Sequence, residues 1–128
     1  MPELIPSKKK ILVVDDEPLV CEAIGMMLSF DGHETVIAGS AKEALALFDQ
    51  DTFDLVTTDY SMPEMKGDEL ARALKMRLPG QPVIMITAHA EMFEAEWAAM
   101  EGVVDQLVSK PFKLQELRDA IQKATAPH

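Results

Sequence analysis

The chain has 128 residues, 22 acidic and 12 basic side chains, and a formal net charge of −10. That length suits one domain, and 48% hydrophobic against 27% charged residues is an ordinary globular balance. The acidic excess argues against a direct grip on nucleic acid or an anionic membrane surface; no apolar run approaches the ~18 residues of a spanning helix; and one cysteine cannot make an internal disulfide, which suits the cytoplasm.

In chain order, Lys8, Lys9 and Lys10 lead into Ile11-Leu12-Val13-Val14, a β-branched run bounded by charge. Four apolar residues are too few for the ~7–15 of a signal peptide's hydrophobic region, and the run reads as a strand covered on both faces. From Pro18 the period changes, with Val20, Ile24, Met27 and Leu28 at helical spacing and Asp31-Gly32 ending the helix. His33 reads as a turn residue after that stop, and Cys21 as a packed or partly exposed helix residue. Glu34 to Ala38 is a second strand. Ser40 with Glu43 three residues on forms a capping box for a helix whose apolar side is Ala44, Leu45, Leu47 and Phe48.

Leu55 to Thr58 is a third strand, and the loop from Asp59 to Gly67 leads to a helix over Glu69 to Arg77. Pro79-Gly80-Gln81-Pro82 is a turn, followed by a fourth strand, Val83 to Ile86. A helix with a poor apolar stripe is expected over Glu91 to Glu101, then a short strand at Leu107 and Val108. Leu114, Leu117, Ile121 and Ala124 mark a last helix, and Thr125 to His128 a fraying tail. Strands without alternation, interleaved with helices, mean a parallel sheet with right-handed crossovers. The fold expected is α/β, a flavodoxin-like three-layer (βα)5 sandwich with a five-stranded parallel sheet of order 2-1-3-4-5.

In such a sheet the functional crevice lies beyond the carboxyl ends of the strands. Strand one ends in Asp15 and Asp16, strand three in Asp59, strand four in Thr87 and strand five in Lys110. Any one of these is commonplace as a turn residue; five polar groups at strand ends that the fold itself gathers are not. Clustered carboxylates repel one another, and a hard divalent cation relieves the repulsion. An all-oxygen, carboxylate-rich set suits Mg²⁺ or Mn²⁺. Lys110 supplies a point charge for a phosphoryl group. With no Ser–His or Cys–His pairing evident, one carboxylate is the nucleophile or the group modified.

The chain resembles the response-regulator receiver domain of two-component signalling over essentially its whole length. The motifs are ILVVDDEP at 11–18, DYSMPEMKG at 59–67, ITAHA at 86–90 and SKPF at 109–112. The resemblance implies that Asp59 is the phospho-acceptor, taking a phosphoryl group from a phosphohistidine of a sensor histidine kinase or a histidine phosphotransfer protein. It implies Asp16 as a direct metal ligand, Asp15 acting largely through water, and the backbone carbonyl of Ser61 as a main-chain ligand. Lys110 is implied to pair with Asp59, and Thr87 and the amide of Ala88 to donate to phosphoryl oxygens. It also implies a cis Lys110–Pro111 peptide. Many receivers carry Tyr or Phe where this chain has Leu107, so the usual threonine–aromatic signal is in question; Trp97, Phe93 and His89 are other reporters to consider.

The expectation is therefore a single receiver domain over 1–128, with its core at about 9–124 and no output domain. It is not an enzyme acting on a released substrate, although it promotes its own phosphorylation and dephosphorylation. A downstream protein partner is expected at the fourth helix, fifth strand and fifth helix. The alternative is a receiver-fold scaffold that binds proteins independently of phosphorylation. A flavodoxin-like electron carrier needs a Ser/Thr/Gly-rich phosphate loop where this chain has Asp15-Asp16-Glu17-Pro18. An aspartyl-phosphate phosphatase needs a second Asp where Asp59-Tyr60-Ser61 has none.

Overall fold

The computed structural model describes residues 7–88, 100 and 102–126. Five parallel strands, β1 (Lys10–Val14), β2 (Glu34–Ala38), β3 (Leu55–Thr58), β4 (Val83–Thr87) and β5 (Gln106–Ser109), lie in the order β2-β1-β3-β4-β5. Helices α1 (Pro18–Phe30) and α4 (Leu114–Thr125) cover one face; α2 (Ala41–Gln50) and α3 (Gly67–Arg77) cover the other. This is the expected flavodoxin-like arrangement. The predicted helix over 91–101, with Phe93 and Trp97, and also His89 lie outside the described residues, apart from the buried Met100.

Strand pleating explains how one short apolar run serves two cores. Side chains alternate across a strand, so Leu12 and Val14 join Phe48, Leu70 and Leu74 on one face. Ile11 and Val13 join Ile24, Leu28, Leu117 and Ile121 on the other. All four strand residues are at most 1% exposed, and each contributes ~1.5–3 kcal/mol by burial. β2 is less covered, with Glu34 and Ile37 exposed, because it lies at the sheet edge.

Local signals set the element ends. Pro18 opens α1 in the first turn, where its missing N–H costs nothing. At the other end Gly32 has φ 87°, Gly32 N–H donates to Ser29 O at 2.9 Å and His33 N–H to Leu28 O at 3.1 Å. This is the Schellman arrangement. Ser40 caps α2, accepting from Glu43 N–H at 3.1 Å, but Glu43 reaches back to Gly39 N–H at 3.1 Å rather than to the cap residue itself. Thr125 ends α4 with its hydroxyl donating to Ile121 O at 2.7 Å, and residues 127–128 of the expected fraying tail lie outside the described residues.

His33 corrects the turn-residue expectation. It is 4% exposed, because the residue after a Schellman glycine turns inward to pack on the helix's last turn. Its Nδ1 accepts from Lys9 N–H at 3.0 Å. Burial pushes the imidazole below its ordinary 6.5, with Asp31 opposing and Lys9 adding to the effect. A base depressed in the fold binds its proton more readily once unfolded. His33 therefore stabilises fully above pH ~6.5, and that stability is lost as pH falls through the depressed value. Wild-type melting temperature should drop between pH 7 and 5 more steeply than that of His33→Gln, which keeps an acceptor and does not titrate. Parallel curves would show that His33 carries none of the acid sensitivity.

Candidate functional site: an acidic pocket at the carboxyl ends of the strands

The sheet register gathers the site. Asp59 N–H donates to Val14 O at 3.1 Å and Asp15 N–H to Ala38 O at 3.2 Å, carrying the ladder one residue past the strands. Lys110 N–H donates to Thr87 O at 2.8 Å, which ties the end of β5 to the end of β4. The Lys110–Pro111 peptide is cis, as the motif suggests.

Asp15, Asp16 and Asp59 each offer a carboxylate oxygen, and the three oxygens lie within 4.8 Å of one another. Asp15 and Asp59 are buried and Asp16 is exposed. Lys110 Nζ donates to Asp15 Oδ2 at 3.1 Å and reaches Asp59 Oδ1 at 3.5 Å. The ammonium therefore serves both acids and sits closer to Asp15 than the assignment to Asp59 alone suggests. The other oxygen of Asp15 accepts from Glu17 N–H at 3.0 Å. Thr87 is buried at the end of β4, and Ala88 and Ser61 are exposed beyond their strands.

Burial pushes the Asp59 carboxyl above its ordinary value; the nearby Lys110 pulls it down and Asp15 pushes it further up. Burial works against the Lys110 ammonium, but hydrogen bonding to Asp15 and the charges of Asp59 and Asp15 outweigh it and raise its pKa. One cation thus stands against two buried anions, with Asp16 beside them. The donors are hard oxygens at short mutual separation, which fits Mg²⁺ or Mn²⁺.

Two residues matter to the pocket more than their sequence signal shows. Gly67 N–H donates to Tyr60 O at 2.9 Å, and a Cβ at Gly67 would lie 2.3 Å from Asp59 O and 2.9 Å from Tyr60 Cα. Glycine is needed for close approach, since its own φ is not in the left-handed region. The same loop holds Glu64 at φ 71°, with Met65 N–H donating to Pro63 O at 2.7 Å, a strained γ-turn. Gly67→Ala should destabilise by about 3 kcal/mol, because backbone rather than a flexible side chain must move. Chemical denaturation checks this, and a loss below ~1 kcal/mol would mean that the loop accommodates the methyl. Cys21 is buried, with its thiol donating to Asp15 O at 3.2 Å; burial pushes its pKa up.

This geometry agrees with the comparisons. A family model described as the response regulator receiver domain matches residues 11–122. The response regulator protein FleR of Pseudomonas aeruginosa is 36% identical over 114 residues, covering 89% of this chain and 24% of that protein. The DNA-binding response regulator MtrA of Mycolicibacterium smegmatis is 34% identical over 110 residues, covering 86% and 47%. A receiver domain protein from Clostridium thermocellum superimposes with a TM-score of 0.82 at 36% identity, over 91% of this chain and 93% of that one. TrrA of Thermotoga maritima, solved in complex with Mg(2+)-BeF, gives 0.83 at 32% identity, over 91% and 98%.

The chain belongs to the response regulator receiver domain family of two-component signalling. It spans less than half the length of these two curated relatives. Among the described residues no helix is long and apolar enough to cross a membrane.

Proposed function

We propose that this receiver takes a phosphoryl group from a phosphohistidine of a sensor histidine kinase, or of a histidine phosphotransfer protein, onto Asp59. The observation that carries the reading is the convergence of three carboxylates and one ammonium from the ends of β1, β3 and β5. A carboxylate oxygen of Asp59 attacks phosphorus, the phosphorus–nitrogen bond breaks, and the imidazole leaves with the electron pair. Later a water attacks phosphorus, the phosphorus–oxygen bond to Asp59 breaks, and the carboxylate returns.

Phosphoryl transfer is mainly a matter of position and charge. Lys110, already between Asp15 and Asp59, is placed to follow the new phosphoryl oxygens. The Thr87 hydroxyl and Ala88 amide would donate to those oxygens. Asp15, Asp16, Asp59 and the Ser61 carbonyl would hold Mg²⁺ or Mn²⁺. When bound, the metal neutralises charge on the carboxylates and the incoming group. The TrrA complex with Mg(2+)-BeF supports this reading by similarity.

The receiver unit, with its core at about 9–124, acts on itself rather than turning over a released substrate, and its output passes to a protein partner. β5 and α4 frame a groove of about 310 Å³ that includes Leu107, Ser109, Glu116 and Lys123, one place for that partner to read the state. Leu107 is only partly buried and packs against the α2–α3 core. Phosphorylation by a small acyl phosphate in the presence of Mg²⁺, abolished in Asp59→Ala, is the test.

A further inference from the structure

Thr58 is the last residue of β3 and is 1% exposed. Side chains two apart on a strand share a face, so it points with Val56 into the layer beneath α2 and α3. Its register partners there, Val14 and Met85, belong to the same apolar cluster as Val56. Valine would suit such a place equally, being β-branched and apolar. A hydroxyl buried there costs stability unless it finds an acceptor. The acceptor it finds is the main chain of the next residue: Thr58 Oγ1 donates to Asp59 O at 2.9 Å and reaches Met62 Sδ at 4.0 Å.

Resting on the assignment of Asp59 as phospho-acceptor, we propose that Thr58 is a positioning residue for phosphoryl transfer. Its hydroxyl fixes the Asp59–Tyr60 peptide and, through it, the direction in which the Asp59 carboxylate leaves the strand.

The same peptide is held at more than one point. Thr58 anchors its carbonyl end, and its N–H end, that of Tyr60, interacts favourably with the ionised Asp59 carboxylate. Gly67 closes on the carbonyl as well, since a Cβ there would lie 2.3 Å from Asp59 O and 3.1 Å from Asp59 C. Gly67 N–H then holds the following peptide by donating to Tyr60 O at 2.9 Å. Before the acceptor, Asp59 N–H is bound to Val14 O. The backbone on both sides of the Asp59 Cα is therefore fixed, by the sheet ahead of it and by Thr58 behind it. In-line attack on phosphorus depends steeply on where the attacking oxygen stands, so a carboxylate held in place gains rate.

Phosphorylation of the full chain by acetyl phosphate at saturating Mg²⁺, followed by intact mass, tests this in wild type, Thr58→Val and Thr58→Ser. Thr58→Val, which keeps the shape and loses the donor, should lower the maximal rate about fivefold, while Thr58→Ser, which keeps the donor, should stay within about twofold of wild type. The acetyl phosphate concentration at half-maximal rate should be unchanged in both. Thr58→Ser also deletes a buried methyl and should lower the melting temperature, so retention of its rate separates positioning from packing. In the metal-free protein, the main-chain carbonyl carbon of Asp59 should move upfield by NMR in Thr58→Val and stay in place in Thr58→Ser, which reports the loss of the bond. Phosphorylation of Thr58→Val at the wild-type rate overturns the role of Thr58 and leaves Asp59 as the acceptor. A Thr58→Ser rate that falls as far as that of Thr58→Val, or an unmoved carbonyl signal in Thr58→Val, does the same. A wild type that is not modified on Asp59 overturns the acceptor assignment and the positioning role with it.

Discussion

Mg²⁺ at matched ionic strength should raise the melting temperature of the wild-type chain, while Asp59→Asn should raise that of the metal-free protein and lose most of the metal's increment. A ligand that binds only the folded chain stabilises it by ~2.7 kcal/mol at a hundred times its dissociation constant, on the order of 10 °C for a domain of this size. The metal-free effect has a different origin. Burial and Asp15 hold the Asp59 carboxyl above its ordinary 3.8, against the pull of Lys110. An acid whose pKa is raised by folding costs stability as pH rises through the interval between its unfolded and folded values, and that cost persists at neutral pH. The neutral amide removes it. Asp16→Asn separates the two effects, because Asp16 is exposed. It should leave the metal-free melt nearly unchanged and still lose most of the Mg²⁺ increment. Undiminished increments in both variants would rule out the carboxylate cluster as a metal site.

Lys110→Ala should strongly destabilise the metal-free protein. Asp15 and Asp59 have side chains 2% and 9% exposed, and Lys110 lies 3.1 and 3.5 Å from them. Removing one partner of a buried ion pair leaves an uncompensated charge, a loss of about 2–4 kcal/mol after allowing for the partly exposed lysine. The pH dependence identifies the cause. Acidification that protonates Asp59 restores part of the lost stability, so the gap between mutant and wild type should narrow from pH 7 toward pH 4. Added Mg²⁺ should narrow it as well. A constant gap across pH, or a mutant melting with the wild type at pH 7, would show that the ammonium does not hold the carboxylates.

Most of the pocket was legible because the strand ends are legible. Ile11 to Val14 and Leu55 to Thr58 are short, largely β-branched runs that stop at carboxylates, and a parallel sheet of order 2-1-3-4-5 brings those stops together whatever the loops do. The division of labour among the acids was not legible. That Lys110 sits nearer Asp15 than Asp59, and that Asp16 alone of the three is exposed, depends on side-chain direction at the site. His33 was misread because a turn signal, Asp31-Gly32, masked the inward packing that a Schellman end imposes on the next residue. Gly67 was seen as a loop residue, yet its need for close approach arises from Asp59 O, eight residues earlier in the chain. Ile37 is exposed on β2, an edge strand, a position that the expected order 2-1-3-4-5 already gave it. The apolar outer face of α1 was present in the sequence as Leu19, Met26 and Phe30, but helical periodicity picks out the stripe that is buried and passes over a second one.

The central claim is that Asp59 is the phospho-acceptor. Intact-mass analysis after incubation with a small acyl phosphate and Mg²⁺ tests it most directly, with fragmentation to place the modification. Wild type should gain a single phosphoryl group located on Asp59; chelating the metal should suppress the gain, and Asp59→Ala should abolish it. An Asp59→Ala chain that gains the same mass to the same extent, or a wild-type phosphoryl group located on another residue, would contradict the account.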